Sequence, residues 1–141
     1  MFRKIFNTNH HKNASKSGVD DILAPHISLG KKGEQLAAQY LTKNHYNIIE
    51  MNWRVTIGEA DIIAKKKNRV VLVEVKTRRS RHFGYPEESV TAKKRAKLRM
   101  LAEIYQKLHN INHFPRIDVI SIEYENNAQY QLTHFKDIGW Q

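Results

Sequence analysis

The sequence predicts an α/β domain in the order α-β-β-β-α-β-β, with helices flanking a central mixed sheet of four to five strands. Two stretches carry apolar residues at 3.6-residue spacing, and five short runs show strand-like alternation between turn residues. With 141 residues and no internal repeat, the chain has room for one domain with a core and not for two.

Residues 1 to 27 are rich in Asn, Ser, Lys and His, show no clear periodicity and close at Pro25. They read as a flexible basic arm ahead of a domain spanning 28 to 141, with His10 and His11 as solvated side chains. The first helix, 29 to 44, places Leu29, Gly33, Leu36, Ala37, Tyr40 and Leu41 on one stripe, with Asn44 as its stop.

Strands follow at Tyr46 to Asn52, Ile57 to Ala64 and Arg69 to Thr77, the last two joined by a polar turn through Lys65 to Asn68. Gly84 and Pro86 mark Thr77 to Glu88 as a loop. A second helix covers about Ser89 to His109, with Val90, Leu98, Leu101, Ile104, Tyr105 and Leu108 facing inward. Arg116 to Tyr124 and Gln129 to Phe135 complete the strands around a turn at Glu125 to Asn127.

Cysteine is absent, which excludes disulfides, Cys-ligated metal sites and a thiol nucleophile. The longest aliphatic run, Val70 to Val73, is far below the ~20 residues of a membrane span. No secretory pattern opens the chain, so a cytoplasmic location is expected.

The net charge is +10, the sign that attracts polyanions. Residues 65 to 99 hold 13 Lys/Arg and 3 Asp/Glu, whereas the remainder holds 11 of each. One quarter of the sequence therefore carries the whole excess, and nucleic acid is the partner it predicts.

The hairpin locates the chemistry. On its second strand Val71, Val73 and Val75 alternate with Leu72, Glu74 and Lys76; on its first, Ala60, Ile62 and Ala64 alternate with Glu59, Asp61 and Ile63. A turn centred on Lys67 and Asn68 pairs Ile63 with Leu72, Asp61 with Glu74 and Glu59 with Lys76. The other face then pairs Ala64 with Val71, Ile62 with Val73 and Ala60 with Val75. A one-residue slip would set apolar side chains against charges.

The cost of this register is Asp61 opposite Glu74, because opposed like charges destabilise a sheet and push one carboxylate's pKa upward. A divalent cation removes that cost, and two carboxylates with water and phosphate oxygens suit Mg²⁺ or Mn²⁺. Lys76, on the same face as Glu74, would serve an attacking water or the charge developing on phosphorus. Phosphodiester hydrolysis fits this combination. A Glu-x-Lys strand face also occurs as a plain solvated surface; the paired carboxylates, aliphatic back face and basic surroundings set this one apart.

Glu34 lies about 20° from Leu41 around the first helix, at the edge of the apolar stripe. It is either an accessory ligand or a first-turn acid favoured by the helix dipole. Lys94 falls on the core-facing line of the second helix, which points that end toward an anionic site. Lys93, Arg95, Lys97 and Arg99 on that helix, and Arg78, Arg79 and Arg81 with Phe83 and Tyr85 ahead of it, suit phosphate contact and base stacking. Arg116 and Asp118 share a strand face as an expected structural ion pair.

Gly30-x-x-Gly33-Glu34 with Ala37-Ala38 and Leu41, Asn52-Trp53-Arg54, Gly58-Glu59-x-Asp61, Val73-Glu74-Val75-Lys76-Thr77-Arg78, Phe83-Gly84, Val90 with Lys94 and Leu98, and Arg116-x-Asp118-Val119 resemble the YraN-type family of uncharacterised bacterial proteins over residues 29 to 135. That family is grouped with restriction-endonuclease-like nucleases of the PD-(D/E)xK type and is similar to archaeal Holliday-junction resolvases. The resemblance implies a restriction-endonuclease-like fold and a metal-dependent DNA endonuclease with Asp61, Glu74 and Lys76 as its triad and Glu34 as accessory acid. Ala60 stands where the family has a larger aliphatic, and the arm before residue 28 is longer.

The expected function is hydrolysis of DNA phosphodiester bonds at branched or recombination intermediates. Asp61 and Glu74 bind Mg²⁺ or Mn²⁺, Lys76 serves the water, Glu59 and Glu34 assist, and Arg78, Arg79, Arg81, Lys93, Lys94, Arg95 and Lys97 hold the backbone. The alternative is a non-catalytic module for DNA or RNA that retains the fold. A metal-independent RNA endonuclease is less well matched, since no histidine is placed beside Lys76. Two-fold related nicking at a junction would require a homodimer.

Overall fold

The computed structural model describes residues 3–9, 28–79, 90–126 and 128–140. Its elements are β1 (Arg3–Asn9), α1 (Leu29–Lys43), β2 (Asn47–Val55), β3 (Gly58–Lys66), β4 (Arg69–Arg78), α2 (Ala92–Leu108), β5 (Arg116–Tyr124) and β6 (Gln129–Phe135). From α1 onward this is the α-β-β-β-α-β-β order of the sequence pattern. Among the described residues no helix is long and apolar enough to cross a membrane.

The strands form one sheet in the order β1-β6-β5-β4-β3-β2. Only β4 and β5 run parallel, joined by the crossover through α2; the other neighbours are antiparallel. β1 is a strand that the pattern of residues 1 to 27 does not announce: Arg3–Asn9 pairs along β6. An edge strand accepts a neighbour through unpaired backbone groups whatever the side chains, so side-chain periodicity is a weak guide to such an addition. Residues 10–27, including His10 and His11, lie outside the described residues.

Local chemistry sets the helix ends. Ser28 caps α1 by accepting the Lys31 amide at 3.3 Å, and Asn44 closes it. α2 starts at Ala92 rather than Ser89, because Thr91 is its cap and accepts the Lys94 amide at 3.1 Å. β2 runs on past Asn52 to Val55, where Trp53 pairs with Ala60.

Each sheet face carries one helix. Ala37, Tyr40 and Leu41 of α1 pack on Ile62, Ala64, Val71, Val73, Ile120 and Ile122. Leu98, Leu101, Ala102 and Tyr105 of α2 pack on Ile63, Leu72, Ile117 and Val119. The hairpin register is the predicted one, with Ile62 opposite Val73, Ile63 opposite Leu72 and Ala64 opposite Val71.

β2 carries a register shift between Ile48 and Glu50, and in the β3–β4 hairpin alternation breaks as well. The ladder ends at Ile62 and Val73, and Ala60 packs with Trp53 in the α2-side core while Val75 packs on the α1 side. The expected Ala60–Val75 and Glu59–Lys76 pairs are therefore not formed, because β3 changes face at Asp61, and Glu59 pairs with Arg54 of β2 instead.

Beneath α1 lies a buried polar network. Arg116 donates to both carboxylate oxygens of Asp118, from Nε at 2.9 Å and Nη2 at 2.7 Å. The expected ion pair is thus present, and it extends further. His134 Nε2 stands 2.8 Å from Asp118 Oδ2, the Asp137 amide donates to Oδ1 at 2.9 Å, and Tyr40 Oη stands 3.1 Å from His134 Nδ1. Asp118 and His134 are completely buried. Burial works against the Asp118 charge, but the His134 and Arg116 hydrogen bonds and the guanidinium outweigh it and hold the carboxyl below its ordinary value.

Candidate functional site

The break in β3 builds the site. Where the next ladder bond would form, the Val75 amide donates to Asp61 Oδ2 at 2.8 Å. A side chain replaces a backbone carbonyl, so Asp61 is fixed beside Glu74 on β4 without a regular cross-strand pair.

α1 delivers the next carboxylate. Gly33 is buried against β4, and a Cβ there would stand 1.9 Å from Thr77 Oγ1, a distance no side chain tolerates. Glycine lets the helix approach and sets Glu34 over β2 and β3. Carboxylate oxygens of Glu34, Glu59 and Asp61 lie within 4.8 Å of one another, a group that could hold a metal ion.

Asn52 of β2 ties this group together. Its amide donates to Glu34 Oε2 at 3.0 Å and Glu59 Oε1 at 3.2 Å, while its own Oδ1 accepts from Lys31 Nζ at 2.9 Å. Its φ of 52° is left-handed, a conformation asparagine adopts more readily than most residues. Arg54 adds an ion pair with Glu59 at 2.6 Å, and Lys31 one with Glu34 at 3.2 Å. Asn52, Arg54 and Lys31 received no role from the sequence. The Asn52-Trp53-Arg54 segment was a visible motif, but which carboxylates it would meet depends on where α1 lands.

Burial and the neighbouring Glu74 charge push Asp61 up to about 7, against the opposing pull of the Val75 amide; Glu34 adds a further upward push. This is the direction predicted from opposed carboxylates. Glu74 itself is buried, with Lys94 Nζ 2.9 Å and Lys76 Nζ 3.8 Å from its Oε1. Lys94 thus faces an anionic site, and the site residues Asp61, Glu74, Lys76, Glu34 and Glu59 converge.

The expected backbone-binding residues divide. Lys93, Lys97 and Arg79 are exposed, with Lys97 lying over Gly58. Arg78 stands 3.5 Å from the buried Glu123, and Arg95 donates to the Val90 carbonyl at 2.7 Å, so both are engaged within the protein. Arg81, Phe83 and Tyr85 lie outside the described residues.

The sequence signature of the uncharacterised protein family UPF0102 matches residues 33–122. A UPF0102 protein of Rhodococcus opacus (strain B4) is 40% identical over 117 residues, covering 82% of this chain and 98% of its own. Another, from Syntrophomonas wolfei, is 48% identical over 100 residues, covering 70% and 86%. A third, from Thermodesulfovibrio yellowstonii, is 48% identical over 96 residues, covering 68% and 86%. The matched span runs from the glycine that admits α1 to the sheet into β5 and includes Glu34, Glu59, Asp61, Glu74, Lys76 and Lys94. The chain belongs to the uncharacterised protein family UPF0102.

Proposed function

We propose that the protein is a metal-dependent endonuclease that hydrolyses DNA phosphodiester bonds, including those of branched intermediates. The observation that carries this reading is the convergence of Glu34, Glu59 and Asp61 within 4.8 Å, with Glu74 and two lysines alongside.

The donor set fits Mg²⁺ or Mn²⁺: it is all carboxylate oxygen, without sulfur or imidazole. Asp61 and its neighbours Glu34 and Glu59 would hold the ion, with Glu74 beside Asp61. When bound, such an ion supplies positive charge against phosphoryl oxygens and makes an adjacent water more acidic.

The remaining work falls to the chain's own side chains. Asn52 and Arg54 orient the Glu34 and Glu59 oxygens, and the Val75 amide fixes Asp61. Lys76, 38% exposed and beside Glu74, meets a substrate phosphate, orients the attacking water and opposes the charge that develops as the bond breaks. Lys94 places a positive charge on the inner side of Glu74 and holds it toward Asp61. Exposed Arg79, Lys93 and Lys97 meet the flanking backbone without reading sequence.

Cleavage of labelled duplex, single-stranded and branched DNA by the parent protein and Asp61→Asn, with Mg²⁺, Mn²⁺ or EDTA, tests the proposal. Metal-dependent products from the parent alone are expected. One observation favours a second reading, a non-catalytic nucleic-acid-binding module: Lys94 and Lys76 already match the Glu74 charge without a metal. Salt-sensitive binding with no product from any substrate and either metal would establish that reading, with RNA as the next ligand to examine.

A further inference from the structure

A basic cleft lies at the turn end of the β3–β4 hairpin, away from the carboxylates. The β3–β4 turn, the start of β5 and the residues after α1 and α2 enclose a cleft of about 510 Å³ lined by Tyr46, Lys66, Lys67, Arg69, His113 and Arg116 among others, with no Asp or Glu in its wall. Lys67 and Arg69 are exposed and make no ion pair within the described structure, and Lys66 rests over the Tyr46 ring, 4.8 Å from its centroid.

Arg116 gives the cleft a fixed floor. Its Nε and Nη2 are committed to Asp118, and Nη2 also donates to Tyr46 Oη at 2.9 Å. The guanidinium is therefore held rigidly, while Nη1 makes no hydrogen bond among the described residues. His113 is oriented too, with Nε2 accepting the Val70 amide at 3.2 Å. Arg116 has its counter-charge in Asp118, whereas Lys67 and Arg69 have none among the described residues, and a bound anion would relieve the repulsion between them.

We propose that this cleft binds a backbone phosphate of the same nucleic acid whose scissile bond lies at the carboxylates. The inference rests on nucleic acid being the substrate, and it adds a second anchor to that reading. From Asp61 to Lys66 is five residue steps along β3, about 17 Å at ~3.4 Å per residue. Successive phosphates of one strand advance ~3.4 Å along a duplex axis, so the anchor engages the backbone about five nucleotides from the cleavage position. The protein then reads a stretch of strand rather than a single phosphate.

Binding of a labelled duplex of about 20 base pairs, followed in EDTA across a salt series, tests this without requiring cleavage. The Lys67→Gln/Arg69→Gln variant alters only exposed side chains and leaves the core intact. Its plot of log affinity against log salt is expected to flatten by about 1–2 units, at ~0.9 for each phosphate left without its cation, with weaker binding at low salt. Amide NMR shifts at Asn68, Arg69 and His113 should move on adding the duplex to the parent protein. An unchanged slope with unmoved amides would overturn the proposal, whether or not the protein cleaves DNA. In a parallel titration with inorganic phosphate, displacement of the ion by the duplex supports the proposal. Phosphate that saturates the cleft and is not displaced would assign a small-anion site and overturn the nucleic-acid anchor.

Discussion

Asp61 Oδ2 accepts the Val75 amide at 2.8 Å, one step beyond the last regular pair of the β3–β4 ladder. That bond ends the hairpin's regular pairing and begins the site: it holds a carboxylate, pushed up to about 7, against a second one on the neighbouring strand.

A carboxyl with a raised folded-state pKa lowers stability as pH rises. Below its ordinary value of 3.8 both states hold the proton; between there and about 7 only the folded state does; above about 7 the folded protein bears the full penalty of the charge. Asp61→Asn removes the penalty and retains an oxygen for the Val75 amide. Without metal, the variant should exceed the parent by on the order of 1–2 kcal/mol at pH 8 and match it near pH 3.5, as read by urea unfolding.

A divalent cation should reverse that ranking. Added Mg²⁺ or Mn²⁺ at pH 8 is expected to raise the melting temperature of the parent, by the equivalent of ~2.7 kcal/mol at one hundred times its dissociation constant. Asp61→Asn and Glu34→Gln/Glu59→Gln should show little or none of this shift. An equal rise in all three proteins would place the ion elsewhere.

Lys94→Met leaves the buried Glu74 without the cation 2.9 Å away and keeps the aliphatic stem. Removing one partner of a buried pair costs ~3–5 kcal/mol; with Lys94 about one third exposed and Lys76 nearby, we expect roughly 1–3. Adding Glu74→Gln should recover most of the loss, which a double-mutant cycle measures directly.

Gly33→Ala drives a methyl group into Thr77 Oγ1. Relief requires α1 to lift from the sheet, at a cost of ~1–3 kcal/mol, and Glu34 moves with it. Thr77→Ala in the same chain should restore part of the stability. If the proposed nuclease reading holds, the double variant should also regain activity that the single variant loses.

At low pH the Asp118 network sets the limit. Its carboxyl is held below the ordinary value, so its contribution is present above about pH 4 and lost as pH falls through the folded-state value. Asp118→Asn should cost ~3–5 kcal/mol at pH 7, because Arg116 and His134 lose a buried partner. Stability of the variant should also fall less steeply below pH 4 than that of the parent.

The sequence by itself determined the element order from α1 onward, the hairpin register from Ile62–Val73 to the turn and the approach of Asp61 to Glu74, because each follows from periodicity or from pairing within one hairpin. It also indicated that Lys94 faces an anion and that Arg116 pairs with Asp118, since a charge on a core-facing line needs a partner nearby. Only the tertiary structure decided the rest. Glu34 meets Glu59 through the close contact of Gly33 with Thr77, and Asn52 bridges them only once α1 has landed. Ala60 leaves its expected face because a side-chain oxygen of Asp61 displaces a ladder bond, which no alternation rule describes. Arg78 and Arg95 turn inward, and the turn lysines meet Arg116 in one cleft. Those contacts join residues far apart in the chain, and packing and charge pairing across the sheet set them, which a local pattern does not encode.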